Sequence, residues 1–356
     1  MVKHMDLIDV SGDSRQIGRG HGEQRRDQIA RELQQLDELA ARWHVKRPAV
    51  LERFDVFRGM FERVMPESID EMAGIAEGAG RRFEEILFLN ARHGGIPALE
   101  GEPSAAACTS FAAAGPMVRS GGVLAGQNKD TIPSSLDRYF LLRTSPTSGP
   151  RMLALTYPGE VGGVGINSFG VGVFSNALFG RHHPIGGPHN LVRRAVLECR
   201  SVDEAHAMFG RLEAWCEANY LVADGTGKAA CFEVVGGGVR RVDSVGHLIT
   251  HGNHVLNDEL LAEEDFPDRQ AQSAARAARL EDLLRAHDGR LTWHDCARSL
   301  ADHEHGPHSI CRHGAAVHSG DKLYTTSALV ADLENLVLHL SLGHPCQNRF
   351  EPYGFN

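Results

Sequence analysis

Residues 105–115 read AAACTSFAAAG and place one cysteine, Cys108, within a run of small residues. A free cysteine is most often a small, buried hydrophobic side chain. Such cysteines usually lie inside apolar runs, as Cys199 and Cys231 do in this sequence. The three alanines before Cys108 and the two hydroxyl residues after it leave space for another group to approach the thiol. The stretch therefore indicates either a structural cysteine or a nucleophile, and the rest of the chain has to distinguish the two.

The same stretch separates two kinds of sequence. From about residue 14 to residue 100, apolar side chains recur at helical spacing, as in the stripe of one isoleucine and three leucines over residues 29–39. After Cys108, short apolar runs alternate with Gly, Pro, Asn and Ser, which is typical of strands and turns. Helices return only in clusters. Because strands and helices do not alternate one for one, the pattern predicts an α+β layered fold and not a doubly wound parallel sheet.

A loop is predicted immediately before Cys108. The helical pattern that precedes it reaches Gly94 and Gly95, and glycine is favoured just after the last turn of a helix. We therefore expect that helix to end at these glycines. Residues 96–107 then form a loop that ends at the cysteine.

A hairpin is predicted immediately after Cys108. The strand that begins at the cysteine is followed by a glycine-rich turn and by the stretch GGVLAGQNKD, residues 121–130. A hairpin brings the end of its second strand back beside the start of its first. Asp130 can therefore lie near Cys108, although an aspartate at a strand end more often caps a turn.

The composition excludes several classes of protein. The 356 residues carry a net charge of -9 and a pI near 6.1, whereas nucleic-acid-binding chains are typically basic. The first residues contain no apolar core of signal-peptide length, and no stretch of about 18 apolar residues is present to span a bilayer. We expect a soluble, cytoplasmic protein with no nucleic-acid or membrane partner.

The cysteines and histidines bear on metal binding. The seven cysteines are odd in number and widely spaced without a CxxC pair, which argues against a disulfide scaffold or a thiolate zinc site. The 20 histidines are numerous, and imidazoles at high density can bind zinc. The two densest groups are His303, His305 and His308, and His247, His251 and His254. Neither group lies on an HExxH helix in the sequence, so a metal-binding protein is retained only as an alternative.

Further motifs follow Cys108 and its hairpin in a fixed order. They are GQNKD at residues 126–130, GVGVFSNAL with Asn176, HGNH with Asn253 and SICRH with Arg312. In this order they resemble the acyl-CoA:6-aminopenicillanic acid (isopenicillin N) acyltransferase-like family of N-terminal-nucleophile cysteine hydrolases. The stretch IGRGHG near the N-terminus also resembles the segment that opens the precursors of this family. The resemblance spans nearly the whole chain and implies an αββα sandwich.

The resemblance further implies that the chain cuts itself between Ala107 and Cys108. Residues 1–107 would be a helical segment and residues 108–356 the core that carries the nucleophile, the two remaining one structural domain. Cys108 would then be N-terminal, and its α-amine, with a pKa of about 7.7–8.0, would serve as the base for its own thiol. Members of the family commonly have glycine where this chain has Ala107, and that departure bears on how efficiently the chain is cut.

The resemblance also implies a role for each site residue. Asp130 would orient the amine and the thiol, and Asn176 and Asn253 would donate hydrogen bonds to the oxyanion. Arg312 would brace this cluster or bind a substrate carboxylate. The implied activity is hydrolysis of an N-acyl amide, or transfer of its acyl group to an amine, through an acyl-thioester. Neither a cofactor nor a metal ion is required.

The expected partners are a small N-acyl amide or acyl-thioester substrate and the chain's own cleaved N-terminal fragment. The acyl group, the amine, the use of CoA and the oligomeric state are left open, a homo-oligomer being one outcome. Two alternatives remain, a non-catalytic binding member of the same fold and a histidine-rich metal-binding protein. The intact Cys108, Asp130 and both asparagines favour the enzyme.

Overall fold

A computed structural model of the protein describes residues 5–100, 107–265, 267–316 and 322–355. Within these ranges no helix is long and apolar enough to cross a bilayer. The helices are α1 (Ser14–Gln24), α2 (Arg26–Glu32), α3 (Gln34–Arg42), α4 (Arg47–Phe54), α5 (Arg58–Val64), α6 (Glu67–Ala79), α7 (Phe83–Glu100), α8 (His189–Leu197), α9 (Val202–Phe209), α10 (Pro267–Arg285) and α11 (Trp293–Leu300). The strands are β1 (Leu7–Gly12), β2 (Ala107–Ala114), β3 (Val123–Thr131), β4 (Phe140–Pro146), β5 (Met152–Thr156), β6 (Val164–Asn167), β7 (Val171–Asn176), β8 (Ala218–Asp224), β9 (Ala229–Val235), β10 (Gly238–Asp243), β11 (Leu248–His251), β12 (His313–Ala316), β13 (Lys322–Asp332), β14 (Val337–Leu342) and β15 (Glu351–Tyr353).

Two sheets lie face to face between two layers of helices. In the first sheet the strand order is β1-β4-β5-β6-β7-β8-β9-β10, and in the second it is β11-β2-β3-β13-β14-β15, with β12 beside β13. Every pairing is antiparallel except that of β1 with β4. Sequential strands are therefore neighbours over most of both sheets, as the clustered strand pattern predicts.

Three hydrophobic clusters hold these layers together. The largest buries the apolar faces of α2–α9 against the outer side of the first sheet. The second lies between the two sheets, and the third packs α10 and α11 against the outer side of the second sheet. This stacking of helices, sheet, sheet and helices confirms the expected αββα sandwich.

The IGRGHG stretch has a packing role in this fold. Gly18 and Gly22 lie one turn apart on α1 and face Gly74 and Gly78 on α6. A Cβ atom at Gly18 would lie 1.9 Å from a backbone oxygen of α6, and one at Gly74 would lie 2.1 Å from a backbone oxygen of α1. Only glycine allows the two helix backbones to approach so closely.

The segment before Cys108 differs from the expectation. Gly94 does interrupt a helix, with φ of 95°, but the chain resumes a helical course and α7 continues to Glu100. The resumed turns pack Ile96 and Leu99 against the first cluster, and that burial is the physical reason why they stay helical. The predicted loop over residues 96–107 is therefore wrong for residues 96–100, and residues 101–106 lie outside the described ranges.

The N-terminal segment is more than a helical cap. It supplies β1, which forms one edge of the first sheet by pairing with β4. The fully buried Arg92 on α7 forms an ion pair of 2.9 Å with Glu160, which lies in the core. Residues 5–100 are thus built into both the sheet and the buried polar contacts. The division at Ala107 and Cys108 depends on cleavage and stays a prediction.

Candidate active site

Cys108 is the second residue of β2, a strand in the interior of the second sheet. The β2–β3 hairpin pairs Cys108 with Lys129 and Ala107 with Asp130. Paired residues share a face of the sheet and successive residues alternate between faces. The thiol therefore lies on the same face as Lys129, between the sheets, and the Asp130 carboxyl projects to the face that carries α10 and α11. Asp130 is thus placed directly across from the residue before Cys108.

Asp130 and Arg312 meet on that outer face. Asp130 is completely buried, and its Oδ1 accepts a hydrogen bond of 2.7 Å from the Thr325 hydroxyl. Its Oδ2 lies 3.3 Å from Nε of Arg312. Burial raises the pKa of the Asp130 carboxyl, and the positive charge of Arg312 opposes that rise. Arg312 does not line the cavity described below, so of its two predicted roles the geometry favours bracing.

Asn253 binds the backbone nitrogen of Cys108. Its Oδ1 accepts hydrogen bonds from that nitrogen at 2.9 Å and from Nη2 of Arg276 at 3.0 Å. A guanidinium only donates, so the carbonyl oxygen of Asn253 is the atom that faces Cys108. The Nδ2 group donates to the carbonyl of Ala177 at 2.9 Å. In this geometry Asn253 accepts from Cys108, whereas the sequence predicted it to be an oxyanion donor.

Asn176 lies at the end of β7 and lines the same cavity as Cys108. Its Oδ1 accepts hydrogen bonds from the Ser110 hydroxyl at 2.7 Å and from Nδ2 of Asn219 at 2.9 Å. Its own Nδ2 has only a long contact of 3.4 Å to the carbonyl of His251. Two donors thus hold the amide oxygen, and within the described residues the second N–H of Asn176 has no hydrogen-bond acceptor. The predicted site residues Cys108 and Asn176 therefore come together at the cavity.

The cavity holds about 350 Å³ between the two sheets. Its floor carries Cys108 and the β3 side chains Gln127 and Lys129. The remaining wall comes from both parts of the chain: Gln35, His93, Thr131, Ile132, Ser135, Arg138, Tyr157, Ser175, Asn176, Ala177, His189, Arg193 and Ala218. A volume of this size is in the range of small-molecule binding sites, about 300–1,000 Å³.

The environment of Cys108 disfavours ionisation of its thiol. Burial, with a smaller contribution from the negative charge of Asp130, raises the pKa of Cys108 to about 11. The thiolate and not the thiol is the nucleophile. An attack by Cys108 on the carbonyl of an external substrate would therefore require a base close to its sulfur.

Arg276 is a site residue that sequence reasoning missed. It lies on α10, donates to Asn253 and to the Thr109 hydroxyl at 3.3 Å, and is almost completely buried. Burial and the nearby Arg312 lower its pKa to about 9. A signal was present, because Ser273, Arg276 and Leu280 follow the three-to-four residue spacing of the buried helix face. A charged residue at such a position rarely lies there without a partner.

Asn128, the middle residue of GQNKD, has a structural role instead. It projects away from the cavity, and its Nδ2 donates to the carbonyls of Leu300 at 2.8 Å and Ile310 at 3.0 Å. These bonds tie β3 to the end of α11 and to the segment that leads to Arg312. The motif thus places Gln127 and Lys129 on the cavity face of the sheet and Asn128 and Asp130 on the opposite face.

Asn128→Ala is expected to lower the free energy of unfolding by about 1–3 kcal/mol, because two buried carbonyls lose their donor. Activity per folded molecule should stay within about twofold, since the side chain does not reach the cavity. Urea unfolding measures the first quantity and kcat/KM the second. Asn335→Ala, in an exposed turn, is the matched control and should change stability by less than about 0.5 kcal/mol. A large fall in kcat/KM at normal stability would place Asn128 in the catalytic machinery.

The two dense histidine groups do not form the metal sites that the sequence alternative proposed. His251 is buried and its Nε2 lies 2.7 Å from Glu233, while Nδ1 of His254 lies 2.8 Å from the Ser273 hydroxyl. In the part of the chain that the structure describes, only one group of at least three side chains could hold a metal ion. It lies outside the cavity and combines His303 with residues from elsewhere in the chain: Cys311, His313 and Cys346.

Two comparisons of the sequence with known proteins point to the same family. Residues 118–347 match the family described as acyl-coenzyme A:6-aminopenicillanic acid acyl-transferase. The chain is 30% identical over 328 residues to the 40 kDa form of acyl-coenzyme A:6-aminopenicillanic-acid-acyltransferase of Emericella nidulans. That alignment covers 86% of this chain and 84% of the relative.

Solved structures resemble the chain more distantly. A mutant of conjugated bile acid hydrolase from Clostridium perfringens aligns with a TM-score of 0.47 and 12% identity, covering 70% of this chain and 97% of that one. The Caenorhabditis elegans ortholog of N-acylethanolamine-hydrolyzing acid amidase aligns with a TM-score of 0.47 and 14% identity, covering 64% and 93%. Penicillin V acylase from Agrobacterium tumefaciens aligns with a TM-score of 0.44 and 13% identity, covering 66% and 83%.

Proposed function

Because this chain belongs to the acyl-coenzyme A:6-aminopenicillanic acid acyl-transferase family, and is therefore an enzyme of the acyltransferase or amidohydrolase type, we propose that Cys108 is its nucleophile and that self-cleavage activates it. One observation carries this proposal. The Cys108 thiol faces a small-molecule cavity, while its backbone nitrogen is held by Asn253 and its preceding residue lies across from Asp130.

The cleavage step begins with the thiol of the uncut chain. Its sulfur adds to the carbonyl carbon of Ala107 as the thiol proton moves to the departing nitrogen. The bond between that carbon and the nitrogen of Cys108 then breaks, leaving a thioester and a free amine. Water adds to the thioester carbonyl, which releases the Ala107 carboxylate and regenerates the thiol.

Cleavage supplies the base that the buried thiol lacks. The peptide nitrogen of Cys108 has no useful basicity, whereas an α-amine has a pKa of about 7.7–8.0. Asn253 already accepts from this nitrogen at 2.9 Å, so it would hold the new amine beside the sulfur. Asp130, across the strand pair, would favour the protonated form when the amine takes the thiol proton.

Acyl transfer would then use the same atoms on an external substrate. The thiolate attacks the carbonyl carbon of an N-acyl amide or acyl-thioester, and the α-ammonium returns its proton to the leaving amine or thiol. Water or an amine attacks the resulting acyl-enzyme. Asn176, which lines the cavity with Cys108, would donate an amide N–H to the oxyanion, and one such donor is worth about 2.7–4 kcal/mol.

The N-terminal segment would remain bound after the cut. It supplies Gln35 and His93 to the cavity wall. His21 on α1 accepts a 3.0 Å hydrogen bond from the nitrogen of Gly159 in the core. Departure of residues 1–107 would expose the large apolar cluster beneath the helices. The fragment is therefore a part of the active enzyme.

Two cations in the cavity indicate the charge of the substrate. In the described ranges, neither Lys129 nor Arg193 has a carboxylate within ion-pair distance, whereas Arg138 is paired with Glu32. The Lys129 ammonium lies over the rings of Tyr139 and Tyr157 at 5.1 and 5.2 Å. Arg193 donates to the Ser175 hydroxyl at 3.0 Å. We infer that the substrate carries a carboxylate close to the amide that is attacked.

Lys129→Met is expected to lower kcat/KM for carboxylate-bearing N-acyl amides by about 10- to 100-fold, since a hydrogen bond to a charged group contributes about 1.5–3 kcal/mol. The methyl esters of the same amides should be turned over about equally by both enzymes. Parallel kinetics on a panel of N-acyl amines and acyl-thioesters, each as acid and ester, measure this difference. Lys322→Met removes an exposed lysine and is the control. An equal loss of kcat/KM on the acid and on its ester would mean that Lys129 does not bind the carboxylate.

A further inference from the structure

Four side chains converge at a second place in the molecule, outside the cavity. They are His303 after α11, Cys311 and His313 around the start of β12, and Cys346 after β14. Each side chain offers one atom that can bind a metal ion, a sulfur or a ring nitrogen, and these four atoms all lie within 4.8 Å of one another. Residues from three separate segments of the chain thus bring two sulfurs and two imidazole nitrogens to one point.

The separations of these atoms match a tetrahedral metal site. The two sulfurs lie 3.7 Å apart and the two imidazole Nε2 atoms 3.1 Å apart. Nε2 of His313 lies 3.5 Å from the sulfur of Cys311 and 3.3 Å from that of Cys346. A tetrahedral zinc ion with Zn–S of about 2.3 Å and Zn–N of about 2.05 Å requires about 3.8, 3.4 and 3.6 Å for these pairs.

We propose that His303, Cys311, His313 and Cys346 bind one zinc ion. Two thiolates and two imidazoles are a common donor set of structural zinc sites. Four protein ligands leave no position open for water or substrate, so this ion would stabilise the fold and would not take part in acyl transfer. The sequence argued against a thiolate zinc site because no CxxC pair is present, but the fold joins cysteines that are 35 positions apart.

The zinc ion would position the segment that carries Arg312. This residue lies between the ligands Cys311 and His313, and its side chain faces Asp130. Its backbone nitrogen donates to the Thr325 hydroxyl at 2.8 Å, and its carbonyl accepts from the Thr325 nitrogen at 3.0 Å. The same hydroxyl donates to Asp130. A metal held on both sides of Arg312 would therefore restrain the brace behind the candidate active site.

A disulfide between Cys311 and Cys346 is the competing explanation for their approach. It would account for the two sulfurs but not for the two imidazoles that point at them. His313 is stacked on His344, with ring centroids 4.0 Å apart, which fixes the ring while its Nε2 faces both sulfurs. The convergence of all four atoms favours the metal.

The test is the zinc content of the full chain, purified with a non-thiol reductant and without chelator, by emission spectroscopy. We expect about one zinc ion per chain. Cys346→Ser and His303→Ala should each lower zinc affinity at least about 100-fold, since loss of a partner that only orients a ligand already costs about 10- to 100-fold. His305→Ala, an exposed histidine two positions away, should retain the metal. Cobalt reconstitution should give the visible spectrum of a tetrahedral site with thiolate ligands.

The measurement is independent of acyl chemistry, because Cys108→Ala, which is expected to be uncut and inactive, should bind zinc equally well. Absence of zinc from protein prepared with added zinc would overturn the proposal. So would equal zinc content in Cys346→Ser, His303→Ala and the unaltered chain, or an intact Cys311–Cys346 disulfide by mass spectrometry after purification under reductant.

Discussion

Cys108→Ala is expected to leave a single chain of 38.8 kDa, whereas the unaltered protein is expected to separate on a denaturing gel into fragments of about 12 and 27 kDa. The variant should also lose all detectable acyl transfer. The reason is that one sulfur makes both attacks, first on the Ala107 carbonyl and then on the substrate. Since the alanine side chain is smaller than that of cysteine at a site beside a cavity, the variant should fold and bind its N-terminal segment normally.

N-terminal sequencing of the larger fragment identifies the bond that is cut. A start at Cys-Thr-Ser-Phe is expected. Cys108→Ser should be cut more slowly, because a hydroxyl ionises far less readily than a thiol in the same environment. Cys199→Ala, which changes a buried cysteine that does not line the cavity, should be cut like the unaltered chain.

Two results would contradict the proposed activation. One is a fragment that begins at another residue. The other is a lasting single chain that still turns over substrate at Cys108, because the α-amine could then not be the base. A single chain without any turnover on the substrate panel would instead favour the non-catalytic binding alternative.

Asp130→Asn is expected to lower kcat/KM by about 100-fold or more, the lower end of the effect of a positioned acid–base group. It should also slow the self-cleavage. The carboxylate lies across from Ala107 and faces Arg312, so its charge would stabilise the protonated α-amine as the thiol loses its proton. Measuring kcat/KM on enzyme that has been fully cut separates the effect of the substitution on turnover from its effect on self-cleavage.

The stability of Asp130→Asn needs its own measurement. Removing one member of a buried ion pair costs about 3–5 kcal/mol, since the partner is left as an uncompensated charge. The double variant Asp130→Asn/Arg312→Gln removes both charges and should recover part of that stability. If Asp130 only neutralises Arg312, the double variant would recover kcat/KM as well. We expect kcat/KM to remain low, and recovery would refute a role of Asp130 at the amine.

The hairpin and the layered architecture of this protein could be predicted from its sequence because both depend on local patterns. The β2–β3 hairpin follows from two short strands and a glycine-rich turn, and its register places Asp130 across from Ala107. The layered α+β architecture follows from the clustering of helices and strands. Both depend on periodicity and turn chemistry, which act over a few residues.

Other features were decided by packing between distant segments. Arg276 reaches Asn253 because α10 covers β2 and β11, and this contact fixes which amide atom of Asn253 faces Cys108. Likewise, Ile96 and Leu99 remain helical because they pack, partly buried, against the first cluster. The energy of such contacts depends on what lies across the interface, and a local pattern does not contain that information.

The sequence by itself therefore predicted the layered fold class and the hairpin that places Asp130 across from Ala107. Only the tertiary structure decided which side chains face the cavity, which brace it from behind, and which cysteines meet histidines. Successive side chains of a strand alternate between its two faces whatever the strand pairs with. The approach of Cys311 to Cys346, in contrast, depends on the pairing of β12 and β14 with β13. Long-range contacts of this kind form only when the whole sandwich closes around its hydrophobic clusters.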